Sequence, residues 1–181
     1  VAEVLPVAVS PRLLAGKEEE IVERRFGIRF ADCRLKLGET LIEPELLQRL
    51  YRVVMASVGH SEVFRSAVLP AKVADFIFAR YQPGMRYGDH VDDPIMGQGP
   101  RFRTDVSMTI FLNPADSYDG GDLVIRTSFG EKRVKLDAGG AVVYPSASVH
   151  QVAEVSRGER LVALTWIQSF VRDAARRELL F

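Results

Sequence analysis

Tyr81-Gln-Pro-Gly-Met-Arg-Tyr-Gly-Asp-His90-Val-Asp92 is the stretch that decides the fold. Its tyrosines, arginine and valine suit a pleated strand better than a helix. Residues two apart on a strand share a face, so His90 and Asp92 present an imidazole and a carboxylate in one direction. A single further histidine would complete a two-histidine, one-carboxylate set. The chain has 3 histidines, at positions 60, 90 and 150.

Immediately before the histidine, Gln82-Pro83-Gly84-Met85 carries proline and glycine at the two central positions of a type II turn. Closed as a hairpin, this turn pairs Tyr81 with Arg86. Tyr81 then lies on the face of Arg86, Gly88, His90 and Asp92, roughly 13 Å from the histidine. Farther along, Ser156-Arg157-Gly158 reads as a three-residue loop with glycine in the left-handed position. That loop pairs Val155 with Glu159 and sets Arg160 opposite Glu154, on the face of Val152 and His150 and again roughly 13 Å from the imidazole. The same register puts Trp166 opposite Ser148, while Arg157 stays in the turn, solvated.

On this reading one cavity face holds His90, Asp92 and His150 at a metal, with Tyr81 and Arg160 farther off. Neutral imidazoles with one carboxylate suit Fe(II) and leave coordination positions open. An arginine fork accepts a remote carboxylate in two parallel charge-assisted hydrogen bonds, and a tyrosine hydroxyl adds a third. The layout suits an elongated dianion held by both ends.

Upstream, Ser10-Pro11 reads as a helix cap and 12–25 as a helix ended by Gly27. Residues 28–37 allow a strand. A second helix starts at Glu43-Pro44 and runs to about Val58, with Leu46, Leu47, Leu50, Val54 and Val58 at helical spacing. After Pro70 the texture becomes short strand-like runs divided by turn residues. The runs are 73–81, 86–92, 104–112, 122–127, 132–136, 141–144, 148–155 and 159–170, and 171–181 reads as a short closing helix. About eight antiparallel strands in two packed sheets describe a jelly roll with room for a site between the sheets. The expectation is one mainly β domain over 1–181, with helical support over 1–70 and the jelly-roll core over 71–170.

Composition narrows the function. At 181 residues with 47% hydrophobic content, the chain can bury one sizeable core. Its 24 basic and 24 acidic residues balance, with no long block of one sign, which argues against nucleic acid or an anionic membrane surface as partner. Cys33 is the only cysteine, so no internal disulfide forms and a cytoplasmic setting is the simpler expectation. The apolar opening carries Glu3 and Pro6 and fits neither a signal peptide nor a membrane span.

Several further segments lie beside this pair of histidines: Arg103-Thr-Asp-Val-Ser-Met-Thr-Ile-Phe-Leu112, Tyr118-Asp-Gly-Gly-Asp-Leu123, Tyr144-Pro-Ser-Ala-Ser-Val-His150 and Arg157-Gly-Glu-Arg160. Together with Tyr81 to Asp92 they make the chain, from about Ala56 to Arg177, resemble the PKHD-type hydroxylases, bacterial relatives of the prolyl and lysyl hydroxylases among the Fe(II)/2-oxoglutarate-dependent dioxygenases. The resemblance implies a double-stranded β-helix, which is the jelly roll already reached. It implies iron held by His90, Asp92 and His150, and 2-oxoglutarate gripped by Arg160 with Tyr81 as helper. It also implies O2 as co-substrate, succinate and CO2 as products, hydroxylation of a C–H bond, and ascorbate as a candidate reductant. The substrate would be a small molecule or a protein side chain. Before about residue 56 the family pattern is only loosely matched, and the extension that many members carry beyond the arginine-rich end has no counterpart after Phe181.

The remaining candidates are weaker. On 105–112 the even positions Val106, Met108, Ile110 and Leu112 are apolar, and Ser107 and Thr109 alternate with them. We take Thr109 as cavity lining rather than solvent face, and Trp166 as cavity wall. Asp89 and Asp93 alternate onto the opposite face, Arg101 and Arg103 are loop arginines that could meet an acidic substrate, and Asp119-Gly120-Gly121 is a turn. His60 belongs to the surface or caps a helix. Two other functions compete: a non-catalytic module that senses iron or 2-oxoglutarate, and a jelly-roll enzyme using another metal. The second has no use for a remote dicarboxylate clamp.

Overall fold

The computed structural model describes residues 44–181 apart from Gln98. The helix expected over 12–25, the segment 28–37 and Cys33 lie outside the described residues. The order is α1 (Pro44–Gly59), α2 (Glu62–Val68), β1 (Pro70–Val73), β2 (Ile77–Tyr81), β3 (Tyr87–His90), β4 (Ile95–Met96), β5 (Phe102–Arg103), β6 (Val106–Phe111), β7 (Asp119–Gly120), β8 (Leu123–Thr127), β9 (Gly130–Val134), β10 (Ala141–Pro145), β11 (His150–Val152), β12 (Val155–Arg157), β13 (Arg160–Ser169) and α3 (Ala174–Leu180). Among the described residues, no helix is long and apolar enough to cross a membrane.

Two antiparallel sheets form the jelly roll. The larger runs β1-β13-β6-β10, with β2 also paired to β13; the smaller runs β3-β11-β8-β9. The eight runs read from the sequence fall on β2, β3, β6, β8, β9, β10, β11 and β13. The run 73–81 is broken, however, because β1 and β2 pair with opposite ends of the long strand β13.

Strand alternation sorts the core into two layers. Met108 and Ile110 of β6 join Phe76, Phe78, Ala163 and Ile167 against Val54 and Val58 of α1 and Phe64 and Val68 of α2. Each large side chain so buried contributes about 1.5–3 kcal/mol. Ser61 caps α2 by accepting the Phe64 N–H at 3.2 Å, which fixes the helix that carries Phe64. His60 bonds through Nδ1 to the Ala56 carbonyl, a helix-end contact as expected. Between the sheets, Phe111, Leu123, Ile125, Val134, Val142 and Val162 form a second core cluster. A cavity of about 770 Å³ adjoins it, with Leu123 and Val162 in its wall.

Neither expected hairpin forms. Gly84 has φ +84° and the Met85 N–H donates to the Gln82 carbonyl at 2.9 Å, so the Pro-Gly turn has type II character. It nevertheless leads from β2 in one sheet to β3 in the other, and Tyr81 pairs with Arg160 rather than Arg86. Gly158 is left-handed as expected, at φ +71°. Here too the chain changes sheets: β12 pairs with β7, β11 with β3 and β8, and Trp166 stands opposite Ser107 rather than Ser148. At Pro83-Gly84 the physical reason is twist, since a type II turn splays two strands where a primed turn would join them; at Gly158 β12 is instead taken up by β7.

Candidate metal and dicarboxylate site

His150 lies directly opposite His90 in the ladder between β11 and β3, with ring centroids 4.2 Å apart. Asp92 follows just past the end of β3. Its backbone N–H donates to the Ser146 carbonyl at 3.2 Å, and its Oδ1 stands 3.9 Å from His90 Nε2 and 3.8 Å from His150 Nε2. One donor atom from each residue lies within 4.8 Å of the other two. Each imidazole is oriented the same way: Nδ1 bonds to the carbonyl two residues earlier, Gly88 at 2.8 Å for His90 and Ser148 at 2.9 Å for His150. That leaves each Nε2 lone pair for the shared centre. Burial lowers the His150 pKa from the ordinary imidazole value, outweighing the Ser148 carbonyl and Asp92, which raise it.

The second carboxylate oxygen of Asp92 is engaged from behind. Ser107 Oγ donates to Oδ2, and Ser107 Oγ meets Ser146 Oγ at 2.7 Å. Tyr144, buried on β10, packs edge-on to His150 with centroids 4.9 Å apart. Burial pushes its phenol well above the usual range, Asp92 adds to this, and the Thr109 hydroxyl opposes it.

Across the cavity, β13 supplies Arg160, only 1% exposed. Its guanidinium carbon is 5.0 Å from the Tyr81 ring centroid and 5.5 Å from that of Phe111. Among the described residues no carboxylate pairs with it, and burial lowers its pKa. A buried cation is costly unless an anion meets it. Asn113 fixes the backbone on both sides of this residue: Oδ1 accepts the Leu161 N–H at 2.9 Å and Nδ2 donates to the Glu159 carbonyl at 2.8 Å.

All seven residues singled out in the sequence, His90, Asp92, His150, Arg160, Tyr81, Thr109 and Trp166, line this one cavity. They reach it from two sheets rather than along one face. Asp89 is exposed and paired with Arg126, as its alternation required, but Asp93 lines the cavity because the chain has left the strand by then. Arg103 is no free loop arginine; Asp105 and the Ser169 carbonyl hold it. Arg157 is exposed and paired with Asp119. Asp119-Gly120 is a strand rather than a plain turn. Ser107, Ser146, Asn113 and Tyr144 escaped sequence reasoning. The polar alternation at Ser107 carried a local signal, whereas Ser146 and Asn113 make contacts to segments far apart in the chain and Tyr144 turns toward His150 only through the fold.

A jelly roll in which two histidines and an aspartate converge beside a buried arginine, with no carboxylate partner among the described residues, has the layout of a metal-dependent enzyme that takes an anionic ligand. The profile of the 2OG-Fe(II) oxygenase superfamily matches residues 76–168, and the chain belongs to that superfamily. It is 53% identical over 154 residues to a PKHD-type hydroxylase of Thioalkalivibrio sulfidiphilus, covering 83% of this chain and 69% of that one. Another PKHD-type hydroxylase, of Paraburkholderia phymatum, is 50% identical over 131 residues, covering 71% of this chain and 58% of the relative. The chain thus spans about two thirds of the length of such relatives. In fold it is similar to the crystal structure of an oxidoreductase of the 2OG-Fe(II) oxygenase family from Burkholderia pseudomallei, with TM-score 0.50 and 17% identity over 72% of this chain and 61% of that one.

Proposed function

We propose that this chain forms the dioxygenase domain of an Fe(II)- and 2-oxoglutarate-dependent hydroxylase. It would convert a substrate C–H to C–OH while 2-oxoglutarate and O2 become succinate and CO2. The observation that carries this reading is Arg160, a buried guanidinium with no carboxylate partner among the described residues, facing the same cavity as the three converging donors. The donor set fits a divalent iron: two imidazoles held in the tautomer that frees Nε2, and one carboxylate oxygen with its partner oxygen already bonded. When bound, the iron together with 2-oxoglutarate and O2 supplies the oxidising power.

The protein's part is binding and orientation. His90, Asp92 and His150 approach from one side, leaving the cavity side for ligands. Arg160 takes the remote carboxylate of 2-oxoglutarate in a fork, with Tyr81 stacked on the guanidinium so that its plane is set before the ligand arrives. Thr109 and Trp166 form cavity wall beside that ligand. The substrate, a small molecule or a protein side chain, enters past Arg86, Tyr87 and Asp93 at the rim. Ascorbate serves as external reductant, and the single cysteine supports a cytoplasmic setting.

The test is direct. Purified protein given Fe(II), ascorbate, O2 and 2-oxoglutarate should release succinate, and His90→Ala or Asp92→Ala should abolish the release. Absence of anaerobic 2-oxoglutarate binding to the metal-loaded protein would overturn the reading. Binding without succinate from any candidate substrate would favour a sensor instead.

A further inference from the structure

We propose that Tyr118 is the positioning residue of Arg160: its buried hydroxyl accepts the Arg160 Nε–H and so leaves both terminal nitrogens of the guanidinium for the cavity. This rests on the reading that Arg160 receives the remote carboxylate of 2-oxoglutarate. Two observations made on different groups meet here. Arg160 Nε and Tyr118 Oη are both buried side-chain atoms that make no hydrogen bond of ordinary geometry. They are also neighbours. A methyl group built on Gly121 would lie 3.0 Å from Arg160 Cδ and 3.1 Å from Tyr118 Cε2, so the carbon bonded to Nε and the ring carbon beside the hydroxyl-bearing one both border one point. The Arg160 Nε–H is a donor without an acceptor, and the Tyr118 hydroxyl, which can donate and accept, is without a partner in either role. Leaving both unmade in the interior is unfavourable, whereas a small side-chain shift lets each satisfy the other.

The surroundings hold this pair in place. Tyr118 is wholly buried and sits between two left-handed glycines, Gly121 at φ +67° and Gly158 at φ +71°. A methyl group on Gly158 would come within 2.9 Å of Tyr118 Cα. Over them, β7 pairs with β12, and the exposed Arg157 grips Asp119 through Nε at 2.6 Å and Nη2 at 3.1 Å. The Tyr-Asp-Gly-Gly and Arg-Gly-Glu-Arg segments therefore interlock, and what they enclose is the contact between Tyr118 and Arg160. Asn113 fixes the Arg160 backbone while Tyr118 fixes its side chain. With Nε held, the guanidinium presents its terminal nitrogens to a carboxylate in the bidentate, end-on geometry.

Tyr118→Phe tests this, because it keeps the ring and removes only the hydroxyl. The probes are Mn(II) in place of iron, 2-oxoglutarate, and 2-oxobutanoate, a 2-oxo acid without the remote carboxylate; calorimetry is run anaerobically on wild type and variant. The variant should bind 2-oxoglutarate about tenfold more weakly. Its Mn(II) affinity should be unchanged, and 2-oxobutanoate should bind both proteins equally. Equal 2-oxoglutarate affinity in the two proteins overturns the positioning role. Equal weakening for both 2-oxo acids also overturns it, since that would report general disorder of the cavity. Failure of the wild-type protein to bind 2-oxoglutarate overturns the functional reading underneath.

Discussion

Arg160 and Tyr81 occupy opposed positions in the ladder between β13 and β2, and the guanidinium carbon stands 5.0 Å from the centre of the tyrosine ring. The pairing crosses 79 residues of chain, so the cation is oriented by sheet register rather than by a local turn.

Arg160→Ala should weaken 2-oxoglutarate binding by about a hundredfold or more, the usual consequence of removing one partner of a buried charge pair. Metal binding, made by the other sheet, should persist. Arg157→Ala should change 2-oxoglutarate binding little, because that side chain is exposed and turned to Asp119. Calorimetry with Mn(II)-loaded protein measures both, and similar losses in the two variants would contradict the assignment.

Ser107→Ala should lower metal affinity by about tenfold, since groups that hold a ligand's outer oxygen tune its binding over that range. Asp92 would keep its place through the backbone bond to Ser146 while losing the Ser107 hydroxyl on Oδ2. A Mn(II) titration followed by electron paramagnetic resonance reads the change. An affinity identical to wild type would mean that the hydroxyl contributes nothing to the ligand.

Burial holds the His150 imidazole below its ordinary pKa. The folded chain therefore resists protonating this residue, whereas the unfolded chain protonates it near ~6.5. Between those values the unfolded state binds more protons, so the metal-free protein should lose stability as pH falls through ~6.5. Urea titrations at pH 8, 7 and 6 should give midpoints that drop only at the last step. A midpoint that rises on acidification would contradict the neutral, buried imidazole.

Gly158→Ala should destabilise the fold more than Gly84→Ala. Both glycines are left-handed, a conformation that costs other residues about 1–2 kcal/mol. A methyl group at Gly84 meets nothing within 4 Å, whereas at Gly158 it would lie 2.3 Å from the Ser117 carbonyl oxygen. Thermal melts of the two variants give the ranking.

Much of this architecture is legible in one dimension. Alternation and turn residues mark eight of the nine strands in the two large sheets, because each rests on its own side-chain period; β1 is missed as a separate strand because it runs on into β2 in the apolar stretch 73–81. The His90, Asp92 and His150 grouping is legible because so few histidines are available. What misleads is partner choice. Pro83-Gly84 and Arg157-Gly158 say truthfully that the chain turns, but turn chemistry is local and does not fix which strand lies alongside next. Both segments cross between sheets, and so Arg160 reaches the cavity of His90, Asp92 and His150 from the other sheet instead of sharing their strand face. Asn113 and Tyr118 stay silent in sequence for a related reason, and Ser107 shows only its alternation: each acts on a residue 15 or more positions away.

The two crossings between the sheets are themselves joined. The Gly84 N–H donates to the Val155 carbonyl at 2.8 Å, and the Val155 N–H donates to the Met85 carbonyl at 3.1 Å. This clasp of two bonds ties the segment that leads into β3, beside His90, to the segment that leads into β13, which carries Arg160. On the function proposed above, the clasp would make the cavity a ruler for dicarboxylates, with His90, Asp92 and His150 at one end and Arg160 at the other. A one-carbon-longer homologue, 2-oxoadipate, should be rejected by a geometry set some distance from either of its ends, and relative binding of the two diacids to the Mn(II) form measures how stiff that ruler is.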